Sequence, residues 1–281
     1  MDIAVLGMGH MGQALAGRLL DAGHTVTIWN RTRGRAPDLV ATGASEAPTV
    51  GEAVTGVDLA LSSLSADDAV REVALGDGGV RAAITDGTAY VDTSTVSPAT
   101  SRELEAVIAT FAAMPILGPP AGVRAGTATY LLGGNEAATR VVEPVLADLT
   151  ETVRRYPTSA QASAAKLTAN VLLLDAVVAL SEATAVGRAG GLDDDQLREL
   201  LEGTPLVPGV LGNRFDGVLT GEQEAWWSTA LGAKDARLAV ELAATAGRDV
   251  PATAATRDQL ARAADEGPDG ADIATVSNVY R

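Results

Sequence analysis

Lys166 and Asn170 stand four residues apart in AAKLTAN (164–170), within a long alanine- and leucine-rich run. At that spacing on a helix both side chains project from one face, a turn apart. Leu173 and Val177 continue the same stripe, whereas Asp175 points elsewhere. A cation and an amide above an apolar stripe suit the reduction of a carbonyl. The amide orients the oxygen, or holds the lysine, and the ammonium protonates the oxygen as hydride reaches the carbon. Arginine cannot do this, because its pKa of about 12.5 or more keeps it protonated. Lysine starts at about 10.4 and burial lowers it toward a working pH. Of 21 basic residues only Lys166 and Lys234, in LGAKDARLA, are lysines. These residues alone also allow the plainer reading of a lysine on an exposed helix face.

A second set of residues suits the binding of a dinucleotide. In VLGMGHMGQALAGRLLDAGH, Gly7, Gly9 and Gly12 form G-x-G-x-x-G after an apolar strand and at the opening of a helix. The first glycine permits the tight turn, the second admits a pyrophosphate to the backbone, and the third lets helix pack on strand. The helix N-terminus adds its dipole. The next strand ends in WNRTRGR, where Asn30, Arg31, Thr32, Arg33 and Arg35 stand in place of the carboxylate that holds a ribose 2′-hydroxyl. Guanidinium groups bind phosphate bidentately, so the turn favours NADP(H) over NAD, the alternative being a merely solvated basic turn. His10 lies in the glycine loop, where its backbone matters more than its ring, and His24 reads as a turn residue. Neither suits a general acid.

Two differently patterned halves must position these groups. The first alternates apolar runs at 3–7, 25–29, 59–64, 89–94, 111–116 and 128–134 with helical stretches at 11–22, 34–42, 50–55, 66–74 and 98–109. Bare apolar strands alternating with helices imply a parallel sheet covered on both faces. Strand signals stop near residue 158. One long helix is expected over 158–190, closed by Gly190-Gly191, then helices at 193–202, 207–213, 231–247 and 251–265. The expected organisation is a dinucleotide-binding α/β domain of the Rossmann type over 1–157 and an all-α domain over 158–281.

Composition narrows the function further. A net charge of −15 disfavours nucleic acid. With no cysteine there is no disulfide, thiolate metal site or thiol nucleophile, and two histidines in no ligand spacing suggest no metal. The N-terminus opens directly on a strand, without a signal-type segment, and the apolar stretch 167–180 is interrupted by Asn170 and Asp175. A soluble cytoplasmic protein with no membrane association is expected.

With these residues in place, the chain resembles the β-hydroxyacid dehydrogenase family, which includes 3-hydroxyisobutyrate dehydrogenases and glyoxylate/succinic semialdehyde reductases. The resemblance runs in motif order over nearly the whole length. GMGHMGQALAGRLLDAGH resembles the family's cofactor signature. VDTSTVSP (91–98) resembles D-x-S-T-x-x-P, which implies that Ser94 and Thr95 sit beside the nicotinamide. MPILGPPAGVRAGT (114–127) takes the place of the substrate loop. KLTAN matches K-L-x-x-N, whose lysine is catalytic in the family, and KDARLA (234–239) matches K-D-x-x-L-A, whose lysine closes over the nicotinamide end of the cofactor. The resemblance also implies a homodimer with intertwined helical domains, in which the long helix is buried against the partner. The expected cofactor contacts are Gly7, Met8, Gly9, His10, Met11, Gly12, Asn30, Arg31, Thr32, Arg33, Leu64, Ser65, Thr95 and Lys234. The expected substrate contacts are Ser94, Leu117, Gly118, Pro119, Trp226 and Lys234. Trp226 and Trp227 equally fit core or interface anchors.

Two departures bear on the substrate. Leu117 replaces the family's serine and Pro119 its second glycine, which removes a hydroxyl and a backbone N–H that would grip a carboxylate. That favours a more apolar small molecule and makes the related imine reductases, which share the VTIWNRT type of cofactor site, a rival reading. Those enzymes usually lack the lysine. An ammonium about 4 Å from a preformed iminium repels it by roughly 4 kcal/mol at an effective dielectric of about 20. Lys166 therefore favours a carbonyl or alcohol substrate. A non-catalytic NADP sensor is a third reading, against which Lys166, Asn170 and Lys234 all stand.

Overall fold

The computed structural model describes every residue except Asp86, Gly203, Pro205, Leu206, Pro208 and the side chain of Val210. The chain divides into two compact units, Met1–Lys166 and Leu167–Arg281.

The first unit runs β1 (Asp2–Leu6), α1 (His10–Asp21), β2 (Thr25–Trp29), α2 (Pro37–Ala41), β3 (Ser45–Glu46), α3 (Val50–Val54), β4 (Leu59–Ser62), α4 (Asp67–Leu75), α5 (Val80–Ala83), β5 (Ala89–Asp92) and α6 (Pro98–Val107). It continues with β6 (Phe111–Ala113), β7 (Ile116–Leu117), α7 (Pro120–Ala125), β8 (Thr129–Gly134), α8 (Glu136–Leu149) and β9 (Thr152–Tyr156), and ends in the first turns of α9 (Ser159–Ala189). The strands form one sheet in the order β3-β2-β1-β4-β5-β6-β8-β7, with β9 beside β8. All pairings from β3 to β6 are parallel; β8 joins β6 and β7 antiparallel and β9 parallel.

Strand residues alternate between two cores. Ile3, Val5, Ile28, Leu61 and Val91 pack on one face with Leu15 and Leu19 of α1 and Val142, Val145 and Leu149 of α8. Ala4, Leu6, Ala60 and Tyr90 pack on the other with Val54, Val70 and Leu104 of α3, α4 and α6. This double burial explains why the strands read as continuous apolar runs. The strand order reverses between β1 and β4, and ligands of such sheets bind at the carboxyl ends of the strands flanking that reversal.

Several elements differ from the sequence reading. The expected strand 111–116 breaks into β6 and β7 at Met114-Pro115, where proline supplies no ladder N–H. Helix α2 begins at Pro37, not 34, because Gly34 sits at φ 69 and Pro37 occupies the first helical turn. Helix α8 was not expected. Pro144 lies in its interior and masks a periodic face of Val142, Val145, Leu146 and Leu149. Strand β9, TVRRY, is half-polar and was missed for that reason.

The second unit comprises the remainder of α9, α10 (Asp194–Leu201), a 3₁₀ turn at Gly209–Leu211, α11 (Phe215–Thr220), α12 (Thr229–Thr245), α13 (Pro251–Glu266) and a 3₁₀ segment at Ile273–Tyr280. Its core gathers Leu174, Val177, Leu197, Phe215, Val218, Leu260 and Ile273. At Gly232 a Cβ would lie 2.9 Å from Ile273 and 3.1 Å from Leu174, so any larger residue would push these side chains apart. Where a helix over 207–213 was expected, the described residues form only the short 3₁₀ turn, and Pro208 lies outside them.

Helix α9 is long and apolar enough to cross a membrane by length and composition, and Asn170 and Asp175 do not disqualify it as expected. Both are partnered inside the helical unit, Asn170 by Asp235 and Asp175 by Thr253.

Candidate active site

The turn after β1 has the shape a pyrophosphate requires. Gly7 sits at φ 100, and a Cβ there would meet the Ser63 carbonyl oxygen at 2.3 Å. A Cβ on Gly12 would meet the Gly7 carbonyl oxygen at 1.8 Å, so α1 seats on the strand only because both residues are glycine. Gly9, by contrast, faces open space, with nothing within 4 Å of a Cβ position. It is also the N-cap of the 12-residue α1, which carries no side-chain cap. The opening amides of a helix have no intrahelical acceptors, and here no side chain supplies one. An uncapped helix end beside an open glycine fits a dinucleotide pyrophosphate. The Met8 side chain is core, and its N–H donates to Asn30 Oδ1 at 3.0 Å. His10 is exposed and Met11 packs partly into the core.

Asn30 ties two loops together. While Oδ1 accepts from Met8, Nδ2 donates to the Thr32 carbonyl at 2.8 Å. The Gly34 N–H donates to Glu46 Oε1 at 2.8 Å, which anchors the far end of this turn. Between these anchors Arg31, Thr32 and Arg33 are all exposed.

At the carboxyl ends of β4 and β5 lies a buried polar network that the sequence reading did not anticipate. Asp92 Oδ1 accepts from Ser62 Oγ at 2.6 Å, Ser94 Oγ at 2.6 Å and Ser94 N at 3.2 Å. Tyr90 OH lies 2.9 Å from Ser62 Oγ. Ser94 Oγ in turn accepts from the Leu64 N–H at 2.8 Å. Burial pushes the Asp92 carboxyl above its ordinary value, the hydrogen bonds from Ser62 and Ser94 oppose that rise, and the charge of Asp67 adds to it. Burial also pushes the Tyr90 phenol well up, helped by the Asp92 charge. Ser94 is buried with its proton committed to Asp92, so toward any ligand it has only a lone pair to offer. Leu64 and Thr95 are half-buried and Ser65 is exposed.

The substrate-loop segment follows β7. Gly118 takes φ 138, a conformation that favours glycine, with Ala128 3.2 Å from a Cβ position. Pro119 is the N-cap of α7 and Pro120 its first residue. Neither has an N–H, so the start of this short helix lacks two of its possible amide donors. Lys166, on the third turn of α9, donates from Nζ to the Ile116 carbonyl oxygen at 2.7 Å, next to Leu117 in the chain.

In the helical unit, Asn170 is 4 % exposed and its Nδ2 donates to Asp235 Oδ2 at 2.7 Å. That bond fixes the amide so that Oδ1 remains an acceptor. Lys234 Nζ lies 2.8 Å from Asp235 Oδ1, an ion pair between neighbours in the chain. Asp235 was missed, although its place beside Lys234 was a signal. Trp226 stacks on the Arg214 guanidinium, 4.0 Å from the ring centroid, and Arg214 Nε pairs with Asp272 at 3.2 Å. The ring therefore has a partner of its own. Trp227 packs against the helical core. Among the described residues no cluster of His, Asp and Glu could hold a metal ion.

Comparison with known proteins agrees with this geometry. Residues 2–157 match the NAD binding domain of 6-phosphogluconate dehydrogenase, and residues 160–280 match the NAD-binding domain of NADP-dependent 3-hydroxyisobutyrate dehydrogenase. An NAD-dependent L-serine dehydrogenase of Pseudomonas aeruginosa is 33% identical over 205 residues, 71% of this chain and 68% of that protein. The structure of a Mycobacterium tuberculosis 3-hydroxyisobutyrate dehydrogenase with L-serine superposes with a TM-score of 0.86 at 25% identity, covering 100% of this chain and 99% of that one. A Streptomyces aurantiacus imine reductase superposes with a TM-score of 0.64 at 26% identity over the full length of both chains.

Proposed function

Because the chain belongs to the β-hydroxyacid dehydrogenase family, related to the imine reductases, and is an NAD(P)-dependent oxidoreductase, we propose that it is NADPH-dependent and interconverts a small carbonyl compound and its alcohol. A reduced nicotinamide, when bound, supplies the hydride that such a reduction consumes. The protein's own part is to hold the carbonyl, polarise it and protonate its oxygen.

The observation that carries this reading is the Lys166 ammonium held on the Ile116 carbonyl, beside the substrate-loop segment. As negative charge develops on a carbonyl oxygen, the ammonium gives it one proton and is left as a neutral amine. In the reverse direction the amine takes the proton of the alcohol. Asn170, one helical turn along, is oriented by Asp235 and keeps its amide oxygen available to accept a substrate hydroxyl. Lys234 and Thr95 are proposed to contact the cofactor near this chemistry.

Exposed Arg31 and Arg33 at the end of β2 support NADPH, since the turn holds them between two anchors with no carboxylate at the strand end. The missing amides at Pro119 and Pro120 favour a substrate without a carboxylate in that subsite, unlike L-serine. The same absence favours imine reduction as a second reading, and Lys166 opposes it.

We further propose a homodimer. Leu172 and Val186 on α9 are 73% and 74% exposed, large aliphatic groups on a helix otherwise used for packing.

The deciding experiment follows NADPH and NADH consumption with neutral aldehydes, semialdehydes and cyclic imines, in the wild type and in Lys166→Ala. Loss of carbonyl reduction with NADPH binding intact supports the reading. Undiminished turnover in Lys166→Ala removes it, and turnover of imines alone moves the assignment to the second reading.

A further inference from the structure

Three elements end close together at the reversal of the sheet: β1 with the glycine turn, β4 with 63–65, and β5 with 93–95. The last two are joined by more than backbone. Register places Ser62 opposite Asp92, and three donors converge on the single oxygen Oδ1: the hydroxyls of Ser62 and Ser94 and the Ser94 amide. Ser94 passes the connection on, because its oxygen accepts the Leu64 N–H. Thr93 adds a second tie, with both N and Oγ1 donating to the Ser62 carbonyl at 2.8 and 2.7 Å.

We propose that Asp92 is a positioning residue: acting through Ser94, it locks the loop after β4 to the loop after β5 and so sets the place of Leu64 and Thr95 against the cofactor. The proposal rests on the cofactor reading given above. Asp92 itself is 1% exposed, with its Oδ1 turned to Ser62 and Ser94. Its use is geometric. Oδ1 acts here only as an acceptor, so it fixes the rotors of both serines as donors toward itself. Ser94 Oγ is then left facing Leu64 with a lone pair, the orientation that the Leu64 amide needs. Replacing the carboxylate by an amide keeps an acceptor at Oδ1, whereas removing it frees both rotors.

The test compares Asp92→Ala, Asp92→Asn, Ser94→Ala and Asp92→Ala/Ser94→Ala, by two readouts. The first, without cofactor, is hydrogen exchange at the Leu64 amide. Exchange should accelerate about tenfold or more in Ser94→Ala and Asp92→Ala and stay near wild type in Asp92→Asn. The second is the split between kcat and the Kd for NADPH. In Ser94→Ala and Asp92→Ala kcat should fall about tenfold or more while Kd changes less than about threefold. Asp92→Asn should recover most of kcat, and the double variant should be no slower than Asp92→Ala, as two residues acting in series require.

Unchanged exchange at Leu64 in Ser94→Ala, or multiplicative losses in the double variant, overturn the proposal. If Asp92→Ala does not fold, Ser94→Ala and Asp92→Asn carry both readouts. If exchange responds as expected but the wild type binds no NADPH, the interlock stands and the cofactor reading fails.

Discussion

Lys166 Nζ donates to the carbonyl oxygen of Ile116 at 2.7 Å, across 50 residues of sequence. The carbonyl belongs to β7, whose pairing with β8 fixes Ile116 opposite Tyr130. The amine is thus referenced to the sheet, not only to its own helix. A carbonyl oxygen cannot donate, so the amine is the donor of this contact and its position is set by the strand.

Replacing Lys166 by arginine separates charge from proton transfer. Lys166→Arg keeps a cation near Ile116 but cannot release its proton. Carbonyl reduction should fall by about 10²–10⁴-fold in kcat, the usual worth of general acid catalysis, with Kd for NADPH within about threefold. Stopped-flow turnover and fluorescence titration check both. Full activity in Lys166→Arg would mean that only the charge is needed.

Cofactor choice is tested at the turn after β2. Arg31→Ala/Arg33→Ala should weaken NADPH by about 1.5–3 kcal/mol for each charged hydrogen bond lost and leave NADH nearly unchanged. Asn30→Asp should also weaken NADPH, since an aspartate accepts from Met8 but cannot donate to the Thr32 carbonyl. Equal losses for both cofactors, by titration, would contradict binding of the 2′-phosphate here.

The strand–helix alternation and the glycine turn were legible because their signals are local: apolar runs, and glycines at Gly7 and Gly12 whose replacement would clash with backbone. Lys166 and Asn170 were legible because helical spacing is local too. The network around Asp92 was not, since it depends on a register that brings Ser62 and Asp92 together from 30 residues apart. Asn170 was expected to serve substrate or lysine, and its fixed bond is to Asp235, 65 residues away. Helix α8 was hidden by Pro144, whose penalty is outweighed by a buried face of four aliphatic side chains.

Asp92 also predicts a pH dependence of stability. Burial raises its pKa in the folded protein above the unfolded value, with Asp67 adding to the rise and Ser62 and Ser94 opposing it. The native state therefore binds more protons than the unfolded chain between those two values. The stability this contributes is full below the unfolded pKa and is lost as pH rises through the folded one. Asp92→Asn cannot ionise and escapes that loss. Urea midpoints measured across an acid-to-neutral series should move in favour of Asp92→Asn, relative to wild type, as pH increases, then level off. A constant difference between the two proteins would mean that Asp92 does not titrate on folding.

Trp226 offers a test of whether an aromatic ring serves substrate or scaffold. Its ring covers Arg214, a guanidinium 1% exposed whose Nε is held by Asp272 and whose Nη2 is buried without a hydrogen-bond partner among the described residues. Burial lowers the Arg214 pKa and Asp272 opposes that, as befits a cation kept from water by a thin cover. Removing the ring lets water reach the guanidinium, which offsets part of the loss, but forfeits the stacking and the buried ring area. Trp226→Ala should therefore cost about 2 kcal/mol of stability and leave KM for the carbonyl substrate within about twofold. Trp226→Phe, which retains a π-face, should recover a good part of the stability. A large rise in KM with an unchanged Tm would put this ring against the substrate instead.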